Sequence, residues 1–262
     1  MEPGHEYNNP FNQPNPYESP EQPYYDPQQH AVQDEMHYMQ AYKFVFDHPN
    51  WVANLLLGTV AQIIPVVGPI VFMGYVAEVI ESLHRYPGHQ YPDFNFDKFG
   101  DYLMRGLWPF LVAMVASLVV MPVAMMMPLM LPLMALVDSP AVHVVAFLLW
   151  IVLYFASFVV MGFVMVPMLL RSALMQNFPD AFSWTFISDF IGKMWMDMVV
   201  AFLFHAVMAT LVVMVGLMLF CIGYLPAMVL ALFAQWHLMY QLYEVYLSRG
   251  GQPIPLKEPA AA

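Results

Sequence analysis

Four stretches of the chain carry no Asp, Glu, Lys or Arg: residues 49–77, 106–137, 139–170 and 198–243, which are 29, 32, 32 and 46 residues long. About 20 apolar residues in a helix cross the hydrocarbon core of a bilayer, so the second and third runs each predict one span. The fourth holds two if it folds back. Gly216 and Cys221-Ile222-Gly223-Tyr224-Leu225-Pro226 group the Gly and Pro that a helix end and a turn require. Four full spans are therefore predicted, at about 106–136, 141–170, 195–220 and 226–247. The first run differs, because Ile63-Ile64-Pro65-Val66-Val67-Gly68-Pro69 sits at its centre. Proline inside a helix loses a hydrogen bond and clashes with the preceding turn. Residues 50–84 are read as an N-terminal broken hairpin whose arms, of about 14 residues each, suit a re-entrant element packed on protein. One kinked span is the alternative.

Composition assigns this pattern to a membrane. Hydrophobic residues make up 60% and charged residues 10%, against about 25% charged in soluble domains. The fold class expected is an all-α integral membrane protein. The single Cys221 leaves no disulfide framework and no cysteine zinc site. A net charge of -11 with only eight Lys and Arg argues against nucleic acid as a partner.

The charges are unevenly spread. Residues 1–36 hold seven Pro, four Tyr, four Asn, five Gln and seven acids without a base, a composition that cannot recover its ordering entropy by burial. They are read as a disordered cytoplasmic tail, residues 37–250 as the polytopic domain, and 251–262 as a flexible C-terminal tail. The tail lacks the basic and apolar regions of a secretory signal. No base falls in the connections at 137–141 or 221–226, so the positive-inside rule turns those outward and the longer polar connections inward. With a hairpin at 50–84, all eight bases and both termini are inside.

A weak internal repeat favours the hairpin. Three times an aromatic, half-polar stretch leads to a Trp, then apolar helices, then an Arg: Tyr42–Asp47 with Trp51 and Arg85, Phe94–Phe99 with Trp108 and Arg171, and Phe186–Phe190 with Trp195 and Arg249. Each lead-in is expected to form an amphipathic helix in the interface.

Phe46-Asp47-His48-Pro49-Asn50-Trp51, followed by Leu56-Leu57-Gly58, Ile64-Pro65-Val66-Val67-Gly68-Pro69-Ile70 and Gly74-Tyr75, resembles the opening of an uncharacterised prokaryotic membrane family, the domain of unknown function four thousand and thirteen. Tyr91-Pro92-Asp93-Phe94, Gly100-Asp101 and Gly106-Leu107 continue the likeness, with Asp93-Phe94 standing where Trp-Asp is usual. The resemblance covers about residues 40–250. It implies a multi-span prokaryotic membrane protein and no known reaction.

Ionisable groups in hydrocarbon cost about 3 kcal/mol each on insertion scales, so those within the apolar runs need partners. Glu78, Glu81 and Arg85 share a helical face, with Glu81 and Arg85 spaced to pair. His237, Gln241 and Glu244 share another, and Asp197 and His205 a third. In antiparallel neighbours His205 and His237 lie at similar depth. The readings are hydrogen bonds between helices, a proton or ion relay, or a bis-His ligand site, and the first needs nothing further. His84 and His89 flank Pro87-Gly88 and are expected in a solvated loop. Met121, Met125, Met126, Met127, Met130 and Met134 are soft ligands suited to Cu(I), but in a chain with 24 methionines they read as apolar filler. Pro122, Pro128 and Pro132 there predict an irregular or ending helix.

No phosphate loop, nucleophile elbow or His-x-x-x-His pair is present, so neither catalysis nor a cofactor is expected. The reading is a non-enzymatic protein of the bacterial cytoplasmic membrane, an accessory or scaffold subunit meeting lipid, membrane-protein partners or its own copies. A small transporter or channel with a path past Glu78, His205, His237 and Glu244 is the alternative.

Overall fold

The computed structural model describes residues 34–257 apart from 135, 138 and 220–222. Nearly all of the 1–36 tail thus lies outside the described residues. All regular structure among the described residues is helical: α1 (Gln40–Lys43), α2 (Trp51–Gln62), α3 (Val67–Arg85), α4 (Phe99–Met134), α5 (Pro140–Met175), α6 (Trp184–Met218) and α7 (Tyr224–Ser248).

The chain breaks between α2 and α3 where Pro65 withholds its N–H. Val66 turns the corner in a left-handed conformation (φ 66°), which is strained for a β-branched side chain. Ile70 stands opposite Gly106 and Gly74 opposite Tyr102, so α3 runs antiparallel to α4. By that register the turn at 63–66 comes level with about residue 112, and α4 continues roughly 33 Å further at 1.5 Å per residue. Gly58 of α2 meets Phe72 of α3 and Val229 of α7. Its opposite face exposes Val52, Leu56, Val60 and Ile63, an uncovered apolar stripe.

Glycine lets α3 and α4 approach closely. A Cβ on Gly74 would strike the Tyr102 carbonyl, and one on Gly106 the Ile70 carbonyl. Backbone therefore lies on backbone where α3 crosses α4, the use small residues serve between membrane helices. The core lies at this end, with Phe72, Tyr75, Tyr102, Phe186, Phe190, Phe233, Tyr243 and Tyr246 fully buried.

Beyond it the helices lose their cover. Three are long and apolar enough to cross a membrane: the helical stretch Phe96–Pro132, α5 and α6. None of the residues in the most apolar window of α5 is buried, whereas water-soluble monomers rarely expose apolar patches beyond a few hundred Å². With 25 residues, α7 is long enough to span. Its Gln235, His237, Gln241, Glu244 and tyrosines lower its hydropathy, however, and many of its side chains are buried.

Two expectations are corrected. α4 runs unbroken through Pro109, Pro122, Pro128 and Pro132. Two of its carbonyls are reached from α5, Trp150 Nε1 donating to that of Val123 at 3.1 Å and His143 Nε2 lying 2.7 Å from that of Met134, the last residue of the helix. Phe186–Phe190 do not form a separate interfacial helix but the first turns of α6, because Phe186 and Phe190 pack on Tyr246 of α7.

Candidate functional site

The two halves of the family-like pattern meet. Asn54, 1% exposed, donates from Nδ2 to Asp93 Oδ1 at 3.0 Å and accepts the Phe94 N–H at 2.9 Å. Asn50 donates to Asp93 Oδ2 at 3.0 Å. The Tyr91 hydroxyl donates to the Val45 carbonyl and the Tyr75 hydroxyl to that of Pro92. Segment 45–54 is thereby bolted to loop 91–94. Burial alone would raise the Asp93 carboxyl, but the amide hydrogen bonds outweigh it and hold the group below its ordinary value. A depressed carboxylate contributes stability above its unfolded pKa, near 4, and loses it as pH falls through the lower folded value. Thermal unfolding is therefore expected to show acid destabilisation that is reduced in Asp93→Asn. Asn54→Ala, which strips Asp93 and Phe94 of a partner at once, is expected to cost about 2 kcal/mol in the same assay.

Charged groups gather where α3 meets α4. Glu81 accepts from Arg85 Nε at 2.8 Å and pairs with Arg105, while Glu78 pairs with Lys98 at 3.0 Å and lies 3.9 Å from Arg105. Glu78, left without a partner by the spacing of its own helix, is thus answered by α4 and the turn before it. Arg85 also donates to the Lys257 carbonyl, and Lys257 N–H to that of Leu174. Residues 251–257, expected as a free tail, lie along the base in this way.

A third set centres on α7. His84 Nδ1 lies 2.6 Å from Glu244 Oε1, and His84 is 2% exposed. The expectation of a solvated loop histidine is overturned: α3 extends to Arg85, so His84 is helical and turned onto α7. Gln241 clasps the backbone of His37, accepting its N–H at 2.8 Å and donating to its carbonyl at 3.1 Å, while lying 3.1 Å from His237 Nδ1. Asp197 takes a two-pronged contact from Arg249 at 2.6 and 3.1 Å.

His205 and His237 are not joined. α1 and the turn after it reach both: the Tyr42 hydroxyl lies 3.1 Å from His205 Nδ1, and Phe44 stacks on His237 with centroids 4.0 Å apart. Burial pushes the Tyr42 phenol up to about 12, so it serves His205 as a neutral hydrogen-bonding group. The eight candidate residues thus fall into separate groups: Glu78, Glu81 and Arg85 with α4; His237 and Gln241 with segment 37–44; Glu244 with His84; Asp197 with Arg249; and His205 with Tyr42. Sequence reasoning missed Asn54, Asp93, Lys98, Arg105 and Tyr42 as partners. A signal existed for the first two, since Asn50-Trp51 and Tyr91-Pro92-Asp93-Phe94 both belong to the family-like pattern.

A helical base closed by ion pairs and amide clamps, from which three lipid-compatible helices extend, defines the class: a helical membrane protein. The profile of the family described as protein of unknown function DUF4013 matches residues 57–221, and the chain belongs to that family. No curated protein and no solved structure matches the chain.

Proposed function

We propose that this chain is a non-enzymatic, multi-pass component of the bacterial cytoplasmic membrane, an accessory or scaffold subunit of a larger assembly. α4, α5, α6 and α7 are its four spans, and α2–α3 is a hairpin that enters and leaves by one face. The twelve residues of α2 rise only about 18 Å, short of the roughly 30 Å hydrocarbon core, and their exposed apolar stripe suits lipid. The observation that carries the functional reading is the use made of the polar residues. Glu78, Glu81, Asp197, Glu244 and their partners are spent in separate contacts between elements, which favours holding helices over passing ions along a file. Recognition then falls to residues 1–36 and the lipid-facing helices.

The test is purification in mild detergent of the full chain and of a 1–36 deletion, beside flux measurements in liposomes. A membrane protein that accompanies the full chain and is lost with the deletion is expected. A folded Glu78→Leu or His237→Leu variant that abolishes a flux carried by the native chain would replace this reading with a transporter.

A further inference from the structure

A cavity of about 320 Å³ opens beside α1, between the segment following it, the loop after α3 and α7. Its floor is an aromatic row: His237 on Phe44, Phe44 on Tyr91, and Tyr91 on His48, with centroids 4.0, 5.6 and 4.4 Å apart. His48 and His237 stand at the two ends of the row, both lining the cavity and only 6% and 7% exposed.

The hydrogen bonds behind these imidazoles set their tautomers. His48 Nδ1 accepts the Asn50 backbone N–H at 3.0 Å, and a backbone amide can only donate, so Nδ1 is bare and Nε2 carries the proton. For His237 the reasoning takes one more step. Gln241 presents its oxygen to the His37 N–H and its nitrogen to the His37 carbonyl, which fixes the amide's orientation. The nitrogen therefore also faces His237 Nδ1 as a donor, and again Nε2 carries the proton. Among the described residues neither Nε2–H meets an acceptor, and neither nitrogen is among the sealed polar atoms. The space onto which they open is the cavity. Two donors, each nine-tenths buried and each held in its tautomer from behind, call for acceptors inside.

The remaining wall selects among ligands. No Lys or Arg lines the cavity, whereas Asp47 does, held at one oxygen by Gln40 Nε2 at 3.0 Å. A bare anion would meet a carboxylate there with no cation in answer. An ammonium would find Asp47 there as its counter-charge. Although three histidines line the space, no group of three or more His, Cys, Asp or Glu among the described residues is spaced for a metal. We infer that the cavity binds an extended zwitterion, with a phosphate-ester oxygen on one of the two imidazole N–H groups, a further ester or hydroxyl oxygen on the other, and an ammonium toward Asp47. That is the chemistry of the phosphoethanolamine group, whether carried by a lipid or free.

Native mass spectrometry of the full chain in detergent tests this, with phosphatidylethanolamine and phosphatidylglycerol offered together and glycerophosphoethanolamine as soluble competitor. Retention of phosphatidylethanolamine over phosphatidylglycerol by about tenfold, reversed by the competitor, is expected if the source is lipid. Binding of glycerophosphoethanolamine with no lipid preference assigns the site to a free zwitterion. His237→Phe keeps the ring on Phe44 and removes the donor, and Gln90→Trp, at an exposed lining position, fills the mouth. Each should weaken binding about tenfold, and if His237→Phe does not fold, Gln90→Trp decides. Binding of neither probe, or binding unchanged in the folded variants, overturns the proposal.

Discussion

Gly106→Val is expected to unfold the base of this protein or to weaken it by about 3 kcal/mol or more, and Gly74→Val to do the same. The cause is where the obstruction lies. A side chain at either position meets a carbonyl of the facing helix rather than the end of a flexible group, so relief requires α3 and α4 to part along their crossing. Parting them would also pull Glu78 and Glu81 from Arg105 and uncover Tyr75 and Tyr102. Gly100 and Gly192 provide the matched controls. Both are helical, and a Cβ on either meets nothing within 4 Å. Alanine there should leave stability unchanged or raise it by up to about 1 kcal/mol, since Gly is the poorer helix former. Thermal unfolding in detergent separates the pairs. Equal behaviour of all four glycines would show that the α3–α4 crossing is not as close as described.

Glu244→Ala should have the second large effect, about 3 kcal/mol, because it leaves the deeply buried His84 without the carboxylate 2.6 Å away. Replacing both partners, as in His84→Leu with Glu244→Leu, should restore part of that loss, since two apolar groups of similar size leave no buried polar atom behind. A double-mutant cycle measures the coupling. Additive single effects would mean that the pair is a contact of geometry without energetic consequence.

The sequence made the long elements readable and the partnerships obscure, for physical reasons. Spans show as runs without charge, and Pro65 marks the α2–α3 break because a missing N–H acts locally. Glu81 with Arg85 was readable because both lie on one helix at a spacing that forces proximity. His84 with Glu244 was not, because 160 residues separate them and only the fold brings α3 to α7. Pro122, Pro128 and Pro132 misled because α4 continues through all three to Met134, a tolerance that no local rule contains. His205 and His237, expected at similar depth on antiparallel helices, are each served separately by segment 40–44. The amphipathic helix expected over Tyr42–Asp47 is only the four-residue α1, Gln40–Lys43, too short for hydrophobic periodicity to bound.

The central claim is that residues 51–85 enter and leave the membrane by the same face, so that every Lys and Arg stays on one side. Single cysteines at Asn50, His89 and Ser139, placed in a chain with Cys221→Ser, can be labelled with a membrane-impermeant maleimide in sealed vesicles of known orientation. Positions 50 and 89 are expected to react from the same side and position 139 from the opposite one. Reaction of positions 50 and 89 from opposite sides would make the first apolar run a full span and contradict the account.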